Sequence, residues 1–380
     1  MPGTDEKDSV SVSIHASPRA LRTAASWWRP VGARLDRGAS LVFILPAVVV
    51  ILAFSIFPLL ASLYVSLSRL GFSEGGVELK FVGFGNYAKL LFGIDQPHFL
   101  GVTRPLTPVG IAVLLVIYGL FAVLLYRYAR GPNRTLGGLA GRVVTTAIAG
   151  ALVWLIVNTI LTSGRPGTLV VTIVYVAVDV SVQYLLGLGL ALLVVQHLPG
   201  RRFFRVVFLL PMMITPVGVA YLFRMLTDTS KGPLYPLWAH FGLTDVSWVT
   251  NPWGARLAVM IGDVWQWTPF IFIVLLAAIE TLPHELTEAA VVDGANRWQV
   301  FWRITFPQIL PATTTVVLIR LIEGGGPGTA TESLTLHAYT IWRALDIGGS
   351  AAVAYMLLIV VTFVGISYVN LFRRRVTAMA

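Results

Sequence analysis

The run LVVTIVYVAVDVSVQYLLGLGLALLVV, residues 169–195, holds one aspartate and no lysine or arginine. A helix needs about 20 mostly apolar residues to cross a hydrocarbon core of about 30 Å, and this run is long enough. Outward from it, the stretches 41–67, 108–125, 143–161, 206–226, 255–279, 310–322 and 351–371 meet or approach the same standard. The whole composition agrees. Of 380 residues, 56% are hydrophobic and 12% charged, against about 45–50% and 25% in an ordinary soluble domain. The mean hydropathy is +0.78. The sequence therefore predicts an all-α, polytopic membrane helical bundle of about eight spans. It excludes a typical soluble enzyme and a disordered chain. The absence of cysteine excludes disulfide scaffolds, thiolate metal sites, iron–sulfur clusters and a cysteine nucleophile.

The net charge is +10. No basic run is interleaved with stacking aromatics in a soluble segment, so the excess does not point to nucleic acid. It points to membrane topology. With the N-terminus inside, the cytosolic segments hold 18 of the 28 lysines and arginines, including Arg127, Arg130, Arg201, Arg202, Arg205 and Arg373–Arg375. The positive-inside rule then places both termini of a multi-pass membrane protein in the cytosol. Residues 1–40 read as a loosely attached cytosolic tail. Residues 41–107 hold the first span and an outer loop, and 108–161 a helix pair. Residues 162–380 form the core. The outer loops 68–107 and 227–254 carry aromatics and prolines and are expected to fold as short elements. The stretch 310–322 is only 13 residues long, about 20 Å of helix. It is either extended by the preceding turn or broken near the glycine run 324–326.

One cytosolic segment, 282–311, differs from the others. It contains Glu288-Ala289-Ala290, Asp293-Gly294-Ala295 and the aromatics Trp298, Phe301 and Trp302. The aromatic spacing puts all three on one helical face. Acidic residues open the segment and basic ones close it, as a helix dipole favours. Gly294 permits a sharp turn between two short helices. An amphipathic helical hairpin follows, and the same pattern fits a helix lying in the headgroup region.

This segment resembles the EAA loop of the permease subunits of bacterial binding-protein-dependent ABC importers. That pattern is Glu-Ala-Ala, three residues, Gly, nine residues, Ile, one residue, Leu-Pro. Here Glu288-Ala289-Ala290, Gly294, Ile304 and Phe306-Pro307 keep every spacing, with Phe306 where Leu is usual. The stretches 262–269 (GDVWQWTP) and 324–333 (GGGPGTATES) look like the sugar-importer branch, in particular the first-type permease of maltose and glycerol-phosphate importers. The resemblance covers residues 40–89 and 169–375. It departs from the family in the inserted pair 108–161 and in a segment missing after Glu323.

The resemblance implies a heterodimer with a second permease subunit, two ATPase subunits, an extracytoplasmic solute-binding protein and surrounding membrane lipid. It implies a transport subunit without catalysis or cofactor of its own. Glu288, Ala289, Ala290, Asp293 and Gly294 would carry coupling to an ATPase, with Trp298 and Phe301 as buried anchors. Polar groups inside spans are expensive and mark candidates for the substrate pathway: Asp179, Gln183, Asp263, Gln266, Arg320 and Glu323, with Trp265 and Trp267 able to stack on a sugar. Each has a plainer reading. Asp179 and Gln183 fit an interhelical hydrogen bond. Asp263, Trp265 and Trp267 fit an interfacial belt near the outer end of a span. Arg320 and Glu323 fit an i, i+3 pair.

Other motifs lead nowhere. None of Lys7, Lys80, Lys89 and Lys231 completes a Walker A loop. His284-Glu285-x-x-Glu288 lacks the second histidine of a zinc protease. Gly71-Phe72-Ser73-Glu74-Gly75 lacks the strand–turn–helix setting of a nucleophile elbow. The histidines are scattered. A secondary transporter or channel is the alternative reading; it would explain the intramembrane charges but not the EAA spacing.

Overall fold

The computed structural model describes residues 44–73, 76–131, 135–162, 164–196, 199–244, 251–323 and 332–376, and only the backbone of 72, 73, 77, 322, 323 and 371–376. The tail 1–40, the glycine run 324–328, Thr331 and the Glu323 side chain lie outside the described residues.

Along the chain come α1 (Ile44–Ser66), strands β1 (Ser68–Ser73) and β2 (Gly76–Phe81), helices α2 (Gly85–Phe92) and α3 (Gln96–Phe99), and strand β3 (Gly101–Val102). The pair α4 (Pro108–Ala129) and α5 (Leu136–Ile160) is followed by β4 (Arg165–Pro166), α6 (Thr168–Val195), α7 (Arg201–Leu209), α8 (Pro216–Leu226), α9 (Tyr235–His240) and α10 (Pro252–Glu280). The last part holds α11 (His284–Val292), α12 (Arg297–Leu321), α13 (Leu334–Arg343) and α14 (Ile347–Val376). Among the described residues, seven of these helices are long and apolar enough to cross a membrane, or eight if the bent pair α7–α8 counts as one span. The expected helical bundle is what the chain forms. The loop elements add two small antiparallel ribbons, β1–β2 with Ser68 opposite Phe81, and β3–β4.

The chain divides into two compact units, Met1–Ser62 and Leu63–Ala380. The described part of the first is helical and apolar, and none of its residues is buried. A helix that is apolar all round and uncovered suits contact with lipid or another chain. In the second unit the dominant packing is α6 against α10. Gly187 makes it close: a methyl added there would lie 2.9 Å from Ile271 Cγ2. Leu188, Ala191, Ile271, Phe272, Leu275, Ile309 and Val316 form the core where α6, α10 and α12 meet. A second core at the other end of α6 unites Leu90, Phe99, Leu155, Leu169, Val170, Leu334 and Val353.

Prolines shape the spans. The stretch 206–226 is not one straight span. It is bent by 93° between α7 and α8, at the Thr215-Pro216 step. The residue before proline is forced into extended backbone, so a helix breaks there. Thr215 then caps α8 by accepting from Gly218 N at 3.3 Å, and Gln266 Nε2 donates to the freed Ile214 carbonyl at 2.8 Å. The stretch 310–322 is extended by the turn before it, one of the two forms the sequence leaves open. Helix continues back to Arg297 through a π turn at Phe301–Thr305. Pro307 would clash with the carbonyl four residues earlier, and a π turn over that position relieves the clash. The same device, a π turn at Leu52–Ile56, precedes Pro58 in α1.

Candidate functional site

The polar residues singled out inside spans converge, although they come from three helices. Arg320 of α12 is 1% exposed. Its Nη2 lies 2.7 Å from Asp263 Oδ2 on α10, and its Nε donates to Gln183 Oε1 on α6 at 3.0 Å. Gln183 Nε2 closes the ring by donating to the same Asp263 oxygen at 2.7 Å. The Arg320 guanidinium also sits over the Trp267 ring, 4.6 Å from its centroid. A charge in a span is tolerated when it is paired and hydrogen-bonded, and here the amide of Gln183 satisfies both partners of the ion pair. Asp179, one turn along α6 from Gln183, is buried, and its Oδ1 has no hydrogen-bond partner among the described residues.

Since α10 starts at Pro252, Asp263 is about 16 Å along it. Its carboxylate side chain is 19% exposed, so the cluster keeps one side open. Of the neighbouring aromatics, Trp267 turns to Arg320, while Trp265 packs on Phe223 with centroids 5.7 Å apart. Gln266 braces the α7–α8 break instead of joining the cluster. The described partners of Arg320 are on other helices.

The segment 282–311 is a helical hairpin. Helix α11 ends in a left-handed turn at Gly294, φ +82°, with Ala295 N donating to Ala290 O at 2.9 Å. Only glycine takes that backbone without strain. Asn296 and Gln299 then form a reciprocal capping box, each side chain accepting from the other's backbone N–H at 2.8 Å. The helix that starts there is the one that carries Arg320. Trp298, Phe301, Trp302 and Phe306 form one aromatic ladder, with neighbouring centroids 4.9–6.1 Å apart. Phe301 packs on the α6–α10 core. Trp298 is 68% exposed and Val292 86%, and Glu288, Ala289, Asp293 and Gly294 are exposed as well. Trp302, which the spacing placed on the same face, is also exposed. At the same end of the bundle, Arg205 of the basic helix α7 pairs with Glu280.

Fold and site together define a multi-pass membrane protein with a polar lock between three spans and an exposed hairpin at the end of one of them. The chain belongs to the family of binding-protein-dependent transport system inner membrane components, whose model matches residues 183–378. It is 31% identical to the trehalose/maltose transport system permease protein MalF of Thermococcus litoralis over 217 residues, 54% of this chain and 74% of that one. It is 30% identical to the maltodextrin transport system permease protein MdxF of Bacillus subtilis over 224 residues, 52% of each chain. Its fold is like that of a chain in the crystal structure of a bacterial alginate ABC transporter in complex with an alginate pentasaccharide-bound periplasmic protein. The TM-score is 0.56 at 18% identity, over 92% of this chain and 98% of that one.

Proposed function

We propose that this chain is the transmembrane permease subunit of an ATP-driven sugar importer. It would move its cargo inward through a pathway shared with a second permease subunit, fed by an extracytoplasmic solute-binding protein and driven by two ATPase subunits. The observation that carries this reading is the exposed hairpin Glu288–Ala295, whose turn at Gly294 leads directly into the single helix Arg297–Leu321 that bears Arg320. A hairpin gripped by an ATPase would move that span as a rigid lever, and closure of the ATPases would reach the membrane interior directly. The exposed Val292 and Trp298 supply apolar anchor area of the kind that dominates interface energies, and Glu288 supplies a charged contact for a basic group. The relatives' names, trehalose/maltose and maltodextrin permeases, support sugar as the cargo class.

Asp179, Gln183, Asp263, Arg320 and Trp267, with Trp265, Gln266 and Glu323, are proposed to line or gate the pathway. The open side of Asp263 and the Asp179 oxygen that has no partner among the described residues offer hydroxyl-binding acceptors. The basic segments support a cytosolic location for both termini and for the hairpin.

The test is purification of the tagged chain from its own host in mild detergent, beside Glu288→Ala and Gly294→Pro variants. Wild-type chain is expected to bring down an ATPase and a second permease. Each variant should lose the ATPase while keeping the second permease. Recovery of the chain alone, with sugar transport by that chain in vesicles lacking ATP, would establish the secondary-transporter reading instead.

A further inference from the structure

A second polar cluster stands apart from both constellations. It joins α3, in the loop after α1, to the start of α13. His98 Nε2 lies 2.9 Å from Glu332 Oε2, and His337 Nδ1 lies 3.3 Å from Glu332 Oε1. The two imidazole centroids are 4.6 Å apart. One nitrogen from each histidine and one glutamate oxygen all lie within 4.8 Å of one another.

A carboxylate shared by two imidazoles and by the Thr340 hydroxyl, 2.9 Å away, accounts for part of this arrangement. It leaves His337 Nε2 buried with no hydrogen-bond partner among the described residues. Glu332 and His337 are both buried, and the backbone between them is pinned by Leu334 N donating to Thr172 Oγ1 at 2.8 Å. Phe99, next to His98, and Leu334 are fully buried in one core. The three side chains are thus held together by packing around them, although His98 and Glu332 are 234 positions apart. His98 itself is 54% exposed, which leaves a route in from solvent.

We propose that His98, Glu332 and His337 form a binding site for Zn²⁺ or a similar late first-row divalent cation, clipping α3 to α13. Two imidazoles and a carboxylate are the donor set such ions prefer, whereas calcium and magnesium take oxygen ligands. Ligand atoms about 2.0–2.1 Å from a tetrahedral zinc are about 3.3 Å from each other; here each histidine has a nitrogen 2.9 or 3.3 Å from one of the two Glu332 oxygens, and one donor atom from each residue lies within 4.8 Å of the others. The half-exposed side of His98 leaves a fourth position for water. The site is independent of the transport reading. Its ligands lie outside the hairpin and the polar lock.

The test is zinc binding by the full chain, purified in detergent, stripped with a chelator and dialysed against zinc chloride. Expected are one tightly bound Zn²⁺ per chain and a rise in Tm when zinc is added. His98→Ala, at an exposed position that should not disturb folding, is expected to weaken zinc binding about tenfold or more and to abolish the Tm rise, since even the loss of groups behind the ligands costs that much. Glu332→Gln should do the same. His240→Ala, at an exposed histidine elsewhere, should leave both unchanged. Wild-type chain that binds no zinc, or His98→Ala with wild-type affinity and Tm rise, would overturn the site and leave a hydrogen-bonded cluster only.

Discussion

At the scale of single residues, Arg320 is the most constrained side chain among those described. It is the largest of the fully buried ones, it sits in a span, and it is charged. Its position is tolerable because Asp263, Gln183 and the face of Trp267 surround it. Such a ring is asymmetric in energy. Removing both charges can be nearly neutral, but removing one strands the other in a medium that cannot solvate it, at about 3–5 kcal/mol. Arg320→Met should therefore destabilise the chain by about that much, in detergent-unfolding titrations read by tryptophan fluorescence. Adding Asp263→Leu to it should restore a good part. Equal stability of single and double variants would show that the lock contributes nothing as a pair. The sequence pointed to all three polar partners as residues that do not belong in lipid. It could not say who pairs with whom, because the partners are on different helices and only i, i+3 and i, i+4 neighbours are visible in a linear string. The near-sequence candidate for Arg320 was Glu323; the partners among the described residues are 57 and 137 positions away.

Elements are governed here by proline and glycine. A hydropathy window sees 206–226 as one apolar stretch, since its valines, leucines, methionines and phenylalanines keep the mean high despite Pro211 and Pro216. The 93° bend comes from backbone geometry that hydropathy does not measure. For 310–322, extension by the preceding turn, one of the two forms the sequence left open, is what occurs. Its apolar stretch is short, yet the helix runs from Arg297, because the amphipathic turn before it carries Phe301 and Phe306 onto the core and aromatic ladder. The hairpin before it was legible from Gly294 and the aromatic spacing, whereas the Asn296–Gln299 capping box, an equally local signal, was not read from the sequence. Glycine at 187 has no such local signature; its use appears only where α10 passes. Gly187→Leu should force α6 and α10 apart and destabilise the chain by about 1–3 kcal/mol, the usual cost of overpacking. The same substitution at Gly189, which has nothing within 4 Å, should change stability far less. A matching loss at both sites would mean that helix propensity, and not the close approach, governs the pair.

For the whole molecule, the topology follows from where charge can rest. The helix α7 with Arg201, Arg202 and Arg205, the ion partner Glu280 and the hairpin α11 all gather at one end of the bundle. The cluster of His98, Glu332 and His337 joins segments next to the core at the other end of α6. The class of protein was readable from composition and from one motif. The histidine–glutamate cluster was not, because scattered histidines carry no spacing signal until folding brings them together. The orientation of the bundle can be tested directly, since the native chain has no cysteine and any introduced thiol reports alone. Glu285→Cys on α11 and Lys231→Cys in the loop after α8 are both at exposed positions. In intact cells, a membrane-impermeant maleimide should label Lys231→Cys and spare Glu285→Cys until the membrane is opened. The cationic segments predict this order, because lysine and arginine near span ends are retained on the cytosolic side. The reverse order would put the hairpin outside, beyond the reach of any ATPase, and the coupling role of Glu288 and Trp298 would fall with it.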